Sequence, residues 1–111
     1  MLTKANNEPD PLRRMAYVMV CCITFATNCE TQNTKPFNPL LGETFEYEND
    51  DFVFLAEQVV HHPPIVASYC RSKQGTYTVW SNSCVKTKFT GKNLSLHETM
   101  KTYIELPKWG E

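Results

Sequence analysis

Between Met15 and Ala26 apolar side chains crowd the chain on more than one side of any helix drawn through them. Asp10 and Pro11 stand just ahead, an acidic cap followed by a proline suited to the first helical position. A largely buried helix is expected from Leu12 to about Asn28, although Val18, Val20 and Ile23 would also suit a strand. The apolar run is too short to span a bilayer. The first eleven residues, MLTKANNEPDP, lack the apolar core of a signal peptide. Residues 1–9 are expected as a flexible N-terminal segment.

Glu30 to Pro39 reads as a connecting loop. From Thr44 the pattern changes to short extended runs rich in aromatic and β-branched residues. Thr44–Tyr47, Phe52–Val60, Ile65–Arg71, Thr76–Ser81, Val85–Thr90, Asn93–His97 and Thr102–Leu106 are the expected strands. Asn49-Asp50-Asp51, Lys73-Gln74-Gly75 and Thr90-Gly91-Lys92 are short turns of the kind that join antiparallel neighbours. The expected fold class is mainly β with an N-terminal helix, the strands forming an antiparallel meander. Such a sheet leaves edges and one face to be covered, and no closing element follows Lys108-Trp109-Gly110-Glu111. A piece of a larger domain is therefore expected.

Composition narrows the function classes. A chain of 111 residues, 41% hydrophobic and 21% charged, fits one globular domain at most. The formal net charge is -1 and the 11 basic residues are spread through the sequence. No basic run marks a nucleic-acid footprint or a strong electrostatic membrane anchor, although net charge does not report clustering in space. Five cysteines form no CxxC pair, which reads as reduced thiols in a cytoplasmic protein.

Two segments carry candidate chemistry. In EQVVHHPP, Glu57 to Pro64, His61 and His62 stand side by side against two prolines. A metal site is disfavoured, because adjacent residues on a strand point to opposite faces and only His97 remains as a further imidazole. A histidine-dependent hydrolase needs a nucleophile; Ser68, Cys70 and Glu57 lie near in sequence, but no nucleophile elbow or cysteine-enzyme signature surrounds them. A phosphate fits better. The prolines bias the segment toward a stiff extended exit from a strand, where both rings can turn to one ligand. Imidazole N–H groups donate to phosphate oxygens, and a bound anion favours the protonated ring. Against this stands a plainer role, in which the two rings cap a strand and bond to backbone. The second segment is KPFNPLLGE, Lys35 to Glu43. Its prolines exclude helix interior and central strand, and Lys35 and Asn38 flank Phe37 as a cation and an amide beside an apolar anchor. That combination suits a polar headgroup on an apolar molecule; an ordinary proline-rich corner with a solvated lysine is the alternative.

KPFNPLLGETFE followed by EQVVHHPP resembles the ligand-binding domain of the oxysterol-binding-protein family, whose signature reads EQVSHHPP. Asp10-Pro11 and Arg14-Met15 open the preceding helix as that family does, and KTKFTGKNLSL (Lys86 to Leu96) resembles the family's segment beyond the signature. The resemblance covers residues 10–111 and marks them as a partial ligand-binding domain. It implies a large, incompletely closed antiparallel β-barrel around a lipid tunnel, with no enzymatic activity, no cofactor and no metal. Sterol and phosphatidylinositol 4-phosphate are the implied ligands, taken up and released at transient membrane surfaces or contact sites in the cytoplasm. In such proteins the paired histidines and the lysine hold the headgroup phosphates, roles that carry to His61, His62 and Lys35. Asn38 matches the family's headgroup-contacting asparagine, and Phe37 lies where the family has an apolar residue at the tunnel entrance. Val60 departs from the signature, replacing a serine and removing a hydroxyl beside the histidines. The family domain is considerably longer than this chain, so a fragment without independent binding activity is the competing expectation.

Overall fold

Asp10 does begin a helix. In the computed structural model, which describes residues 1–27 and 37–111, α2 runs from Pro11 to Thr27. The Asp10 Oδ1 accepts hydrogen bonds from the backbone N–H groups of Leu12 (2.9 Å) and Arg13 (3.2 Å). Such a cap contributes about 1 kcal/mol by satisfying donors that the helix leaves free. A second helix, α1 (Leu2–Asn7), lies within the segment expected as a flexible lead-in. Its six residues are too few for a helix to persist by propensity. Tertiary contact holds it: Leu2, Ala5 and Asn6 are buried, and the Trp109 indole N–H donates to the Asn6 carbonyl at 2.9 Å.

The expected burial of α2 is corrected. Leu12, Met15, Met19 and Ile23 follow one another down one side and are all exposed, while Val18 and Cys21 on another side are half-buried. Met15 and Val18 share a small cavity with Ile104 and Leu106. An apolar run shows that a helix needs apolar neighbours, but not which part of a fold supplies them. Here the described residues cover one side only. No helix among them is long and apolar enough to cross a membrane.

The sheet is a five-stranded antiparallel meander in sequence order: β1 (Thr44–Glu48), β2 (Phe52–Val60), β3 (Ile65–Ser72), β4 (Thr78–Phe89) and β5 (Leu94–Glu105). Seven strands were expected. Thr76–Ser81 and Val85–Thr90 are one strand, as are Asn93–His97 and Thr102–Leu106. The polar residues that look like breaks pair with each other instead: Asn82 with Lys101, Ser83 with Met100 and Cys84 with Thr99. A ladder partner satisfies backbone groups whatever the side chains are, so a polar interruption does not end a strand that has one.

Alternation along the strands separates two faces. Phe54, Cys70, Val79 and Ile104 form a registered row on the face nearer α2. Leu55, Tyr69, Trp80 and Tyr103 form a row on the other face, where the Trp80 and Tyr103 rings stack with centroids 5.7 Å apart. Cys21, Cys22, Cys70 and Cys84 are free thiols; Cys29 lies outside the described residues.

The segment after β5 ties the helices to the sheet. Arg14, buried on α2, donates from Nε to Glu111 Oε2 (2.8 Å) and from Nη2 to Glu111 Oε1 (2.6 Å). Its remaining terminal nitrogen donates to the carbonyls of Glu8 and Pro9, and its guanidinium lies 4.3 Å from the Trp109 ring centroid. The bidentate bond from Arg14 holds the Glu111 carboxyl below its ordinary pKa. A carboxylate depressed in the folded state stabilises the fold above its unfolded pKa, about 4.3, and loses that contribution as pH falls through the depressed value. The thermal midpoint of the chain is expected to drop over that acid window, and Glu111→Gln to flatten the drop. Parallel melts of both proteins across the window check this; identical slopes would show that the ion pair is not coupled to folding.

Candidate headgroup site

Antiparallel pairing brings three chain segments to one end of the sheet. The Phe37–Glu43 segment enters β1 there, β2 ends there, and the turn at residues 61–64 leads into β3. Leu40 and Glu43 close the first segment on itself: the Leu40 N–H donates to Glu43 Oε2 (2.7 Å) and the Glu43 N–H to the Leu40 carbonyl (3.0 Å). Gly42 sits between them with φ of 77°, a conformation that costs a residue with a Cβ but not glycine. Phe37 is 100% exposed and Asn38 is exposed beside it. Lys35, the third member expected in this segment, lies outside the described residues.

Gln58 joins the two motifs. Its carbonyl accepts the Gly42 N–H (2.9 Å) and its own N–H donates to the Glu43 carbonyl (3.1 Å). The side chain, 1% exposed, donates from Nε2 to the Val60 carbonyl at 2.9 Å. That bond crosses the irregularity between Gln58 and Val60, where the β2–β3 register shifts. A small cavity of about 70 Å³ lies between Pro39, Phe45, Gln58 and Val66. It has room for a few water molecules and is far below the volume of a ligand pocket, so a lipid would meet an open surface here.

The paired histidines lie in a tight turn, not the extended exit expected from the prolines, because β2 and β3 are adjacent antiparallel strands and the chain must reverse between them. The His62–Pro63 peptide is cis. With the strand alternation interrupted, the two imidazoles come together, ring centroids 4.4 Å apart and planes at 63°. His61 is half-buried and His62 exposed. His61 Nδ1 is buried without a hydrogen-bond partner, and so is Gln58 Oε1. A buried polar atom left unpaired costs about 1–3 kcal/mol, which a ligand atom at that position would recover. The turn is anchored on its other side, where the Pro64 carbonyl accepts the Val85 N–H at 3.3 Å.

The residues named for hydrolytic chemistry are arranged for other work. Ser68 Oγ lies 2.7 Å from Ser81 Oγ across the β3–β4 pair. Burial pushes the Cys70 thiol pKa up, which opposes thiolate formation. Glu57 is exposed. Among the described residues, no group of three or more His, Cys, Asp or Glu side chains is placed to hold a metal ion.

These features coincide with those of one family throughout the chain. The family model described as Oxysterol-binding protein matches residues 1–111. The chain belongs to the oxysterol-binding protein family. It is 41% identical over 114 residues to oxysterol-binding protein-related protein 3 of Mus musculus, covering 100% of this chain and 13% of the relative. Against oxysterol-binding protein homolog 2 of Saccharomyces cerevisiae the identity is 37% over 108 residues, covering 96% of this chain and 8% of the relative. The fold matches part of the Osh1 ORD domain in its crystal structure with ergosterol, at a TM-score of 0.83 and 33% identity, over 96% of this chain and 25% of that one. It also matches the Saccharomyces cerevisiae Osh3 ORD crystallised with PI(4)P, at a TM-score of 0.74 and 28% identity, over 98% of this chain and 29% of that one. The helices and meander thus match part of the Osh1 ORD, a segment of a larger fold. The chain spans 13% of the length of the mouse relative, a small part of it.

Gln58 is the site residue that reading the sequence did not single out. Its signal lay inside EQVVHHPP, as an amide within a strand otherwise rich in apolar residues.

Proposed function

We propose that this chain forms the phosphate-gripping part of a headgroup site for phosphatidylinositol 4-phosphate, in a carrier that moves lipid between membranes. The observation that carries the reading is the pair of imidazoles 4.4 Å apart on an anchored turn, one presenting a buried, unpartnered nitrogen. In this reading His61 and His62 donate to phosphate oxygens, Lys35 adds a positive charge and Asn38 an amide, and Phe37 borders the apolar part of the ligand. Two backbone hydrogen bonds tie Gly42 and Glu43 to Gln58, three residues before His61, which supports a site shared by the two motifs. The PI(4)P bound by the related Osh3 ORD supports the ligand class. Uptake involves no covalent step: apolar burial retains the tails at about 0.8 kcal/mol per methylene, and charge-assisted hydrogen bonds select the headgroup. The carrier works in the cytoplasm, with transient visits to membrane surfaces or contact sites.

Sterol is the second ligand in this reading, supported by the ergosterol complex of the Osh1 ORD. A specific observation also favours a contributory role for this chain: Leu2, Ala5 and Leu106 are the buried hydrophobic residues among those described. So small a core holds no room for acyl chains, and the tunnel is then completed by the longer domain.

Titrating the chain with a soluble short-chain phosphatidylinositol 4-phosphate, while following the imidazole nitrogen signals of its three histidines by NMR, tests the assignment. Two signals are expected to move, those of His61 and His62, while that of His97 stays in place. Saturation without movement of either paired histidine would place the headgroup elsewhere.

A further inference from the structure

We infer that the β4–β5 ribbon is a docking surface for an anionic lipid bilayer. Its basic residues lie apart in sequence, and the strand register brings them together. From Asn82↔Lys101 through Cys84↔Thr99 and Lys86↔His97 to Lys88↔Ser95, alternate pairs share one face of the ribbon. Those eight positions hold Lys86, Lys88, Lys101 and His97 and no carboxylate. Lys92 adds a further cation in the turn that closes the ribbon, where Gly91 takes φ of 79° and the Thr90 N–H donates to the Asn93 carbonyl. All five side chains are exposed, and none is in an ion pair among the described residues, where the pairs are Arg14–Glu111 and Lys73–Glu48.

Position gives this face its meaning. The pairing of β3 with β4 stops at Ile65↔Cys84, whereas β4 and β5 stay paired as far as Phe89↔Leu94. The last five residues of β4 therefore project as a two-stranded ribbon, by roughly 17 Å at the rise of an antiparallel strand. They project from the end of the sheet that carries the histidine turn, to which Val85 is hydrogen-bonded through Pro64. Phe89, 72% exposed, stands at the tip, on the face opposite Lys86 and Lys88 by strand alternation, and Phe37, Leu40 and Leu41 are exposed at the same end. Lysines behind a projecting aromatic match a bilayer, whose anionic surface attracts the cations and whose interface accepts the ring. A nucleic acid would satisfy the cations but would leave the apolar tips in water.

The inference goes beyond the headgroup reading, and the two fail separately. Full chain is mixed with vesicles of phosphatidylcholine alone or with phosphatidylserine, neither containing a phosphoinositide, and the pelleted protein is counted. Wild type is expected on the phosphatidylserine vesicles, less so at high salt, and only weakly on phosphatidylcholine. Lys86→Glu with Lys88→Glu and Lys92→Glu is expected to lower binding at least tenfold, roughly, given the attraction each lysine contributes at an anionic surface. The corresponding glutamine triple is expected to fall between that variant and wild type, and circular dichroism shows whether each variant is folded. Phe89→Ser is expected to weaken binding at both salt concentrations. His61→Ala with His62→Ala is expected to bind these vesicles as wild type does. Undiminished binding of the folded glutamine and glutamate triples, equal binding of wild type to both vesicle types, or preference for a DNA duplex over the vesicles would each overturn the inference.

Discussion

In the longer domain that completes the tunnel, replacing His61 and His62 together by alanine is expected to abolish phosphatidylinositol 4-phosphate uptake while sparing sterol. In the proposed site each imidazole supplies one charge-assisted hydrogen bond to phosphate, and such bonds contribute about 1.5–3 kcal/mol apiece. Losing both lowers affinity by roughly 100-fold or more. Effects of the single variants are not expected to sum, because the rings touch at a centroid distance of 4.4 Å and orient each other. Liposomes carrying labelled phosphatidylinositol 4-phosphate are incubated with each protein and pelleted, and the lipid left in solution is counted, with labelled sterol as the parallel cargo. Equal phosphoinositide uptake by wild type and the double variant would remove the headgroup assignment. Loss of both cargoes would point to a damaged fold instead.

Gln58→Glu is expected to be the most destabilising single change near the site. The side chain is 1% exposed, and its Nε2 donates to the Val60 carbonyl. A carboxylate there would face that carbonyl without a proton to donate, out of contact with bulk solvent, so it must take up a proton or strain the strand. A loss of about 3 kcal/mol is expected at neutral pH, partly recovered in acid where the carboxyl is neutral. Gln58→Leu keeps the volume and the backbone bonds and removes only the donor, for an expected loss of about 1 kcal/mol. Urea unfolding of the three proteins at neutral and acid pH separates these cases. A Gln58→Glu protein as stable as wild type would mean that the amide does not bridge the register break. Exchange of the Gly42 amide, bonded to the Gln58 carbonyl, reports whether the two motifs stay joined.

The ribbon and the turn explain how much of this was legible beforehand. The Asp10-Pro11 helix start, the change to a meander after Thr44 and the paired histidines all depend on residues within a few positions of one another. Capping and the onset of alternation are local, and they fix the helix start and the change to strands; the bias of the prolines toward an extended exit is overridden by the chain reversal between β2 and β3. The match to the family's two motifs carried the fold class further, to part of a barrel, which the likeness to the Osh1 ORD supports. The strand count failed where polar residues interrupt alternation, at Asn82–Cys84 and Thr99–Lys101, because their partners were each other. The exposure of α2 was missed because an apolar surface is the same in sequence whether or not this chain covers it.

Residue order alone determined where α2 starts, where the meander begins and which side chains carry N–H donors beside stiff backbone. The tertiary structure decided which of those groups meet. Gly42 and Glu43 reach Gln58 across β1 and β2 through antiparallel pairing, and Lys86 shares a face with His97 and Lys101 only because each registered pair is perpendicular to its strands. A one-residue slip in that register would send every lysine to the opposite face. Register is fixed by contacts between distant strands, so no window along the sequence contains it.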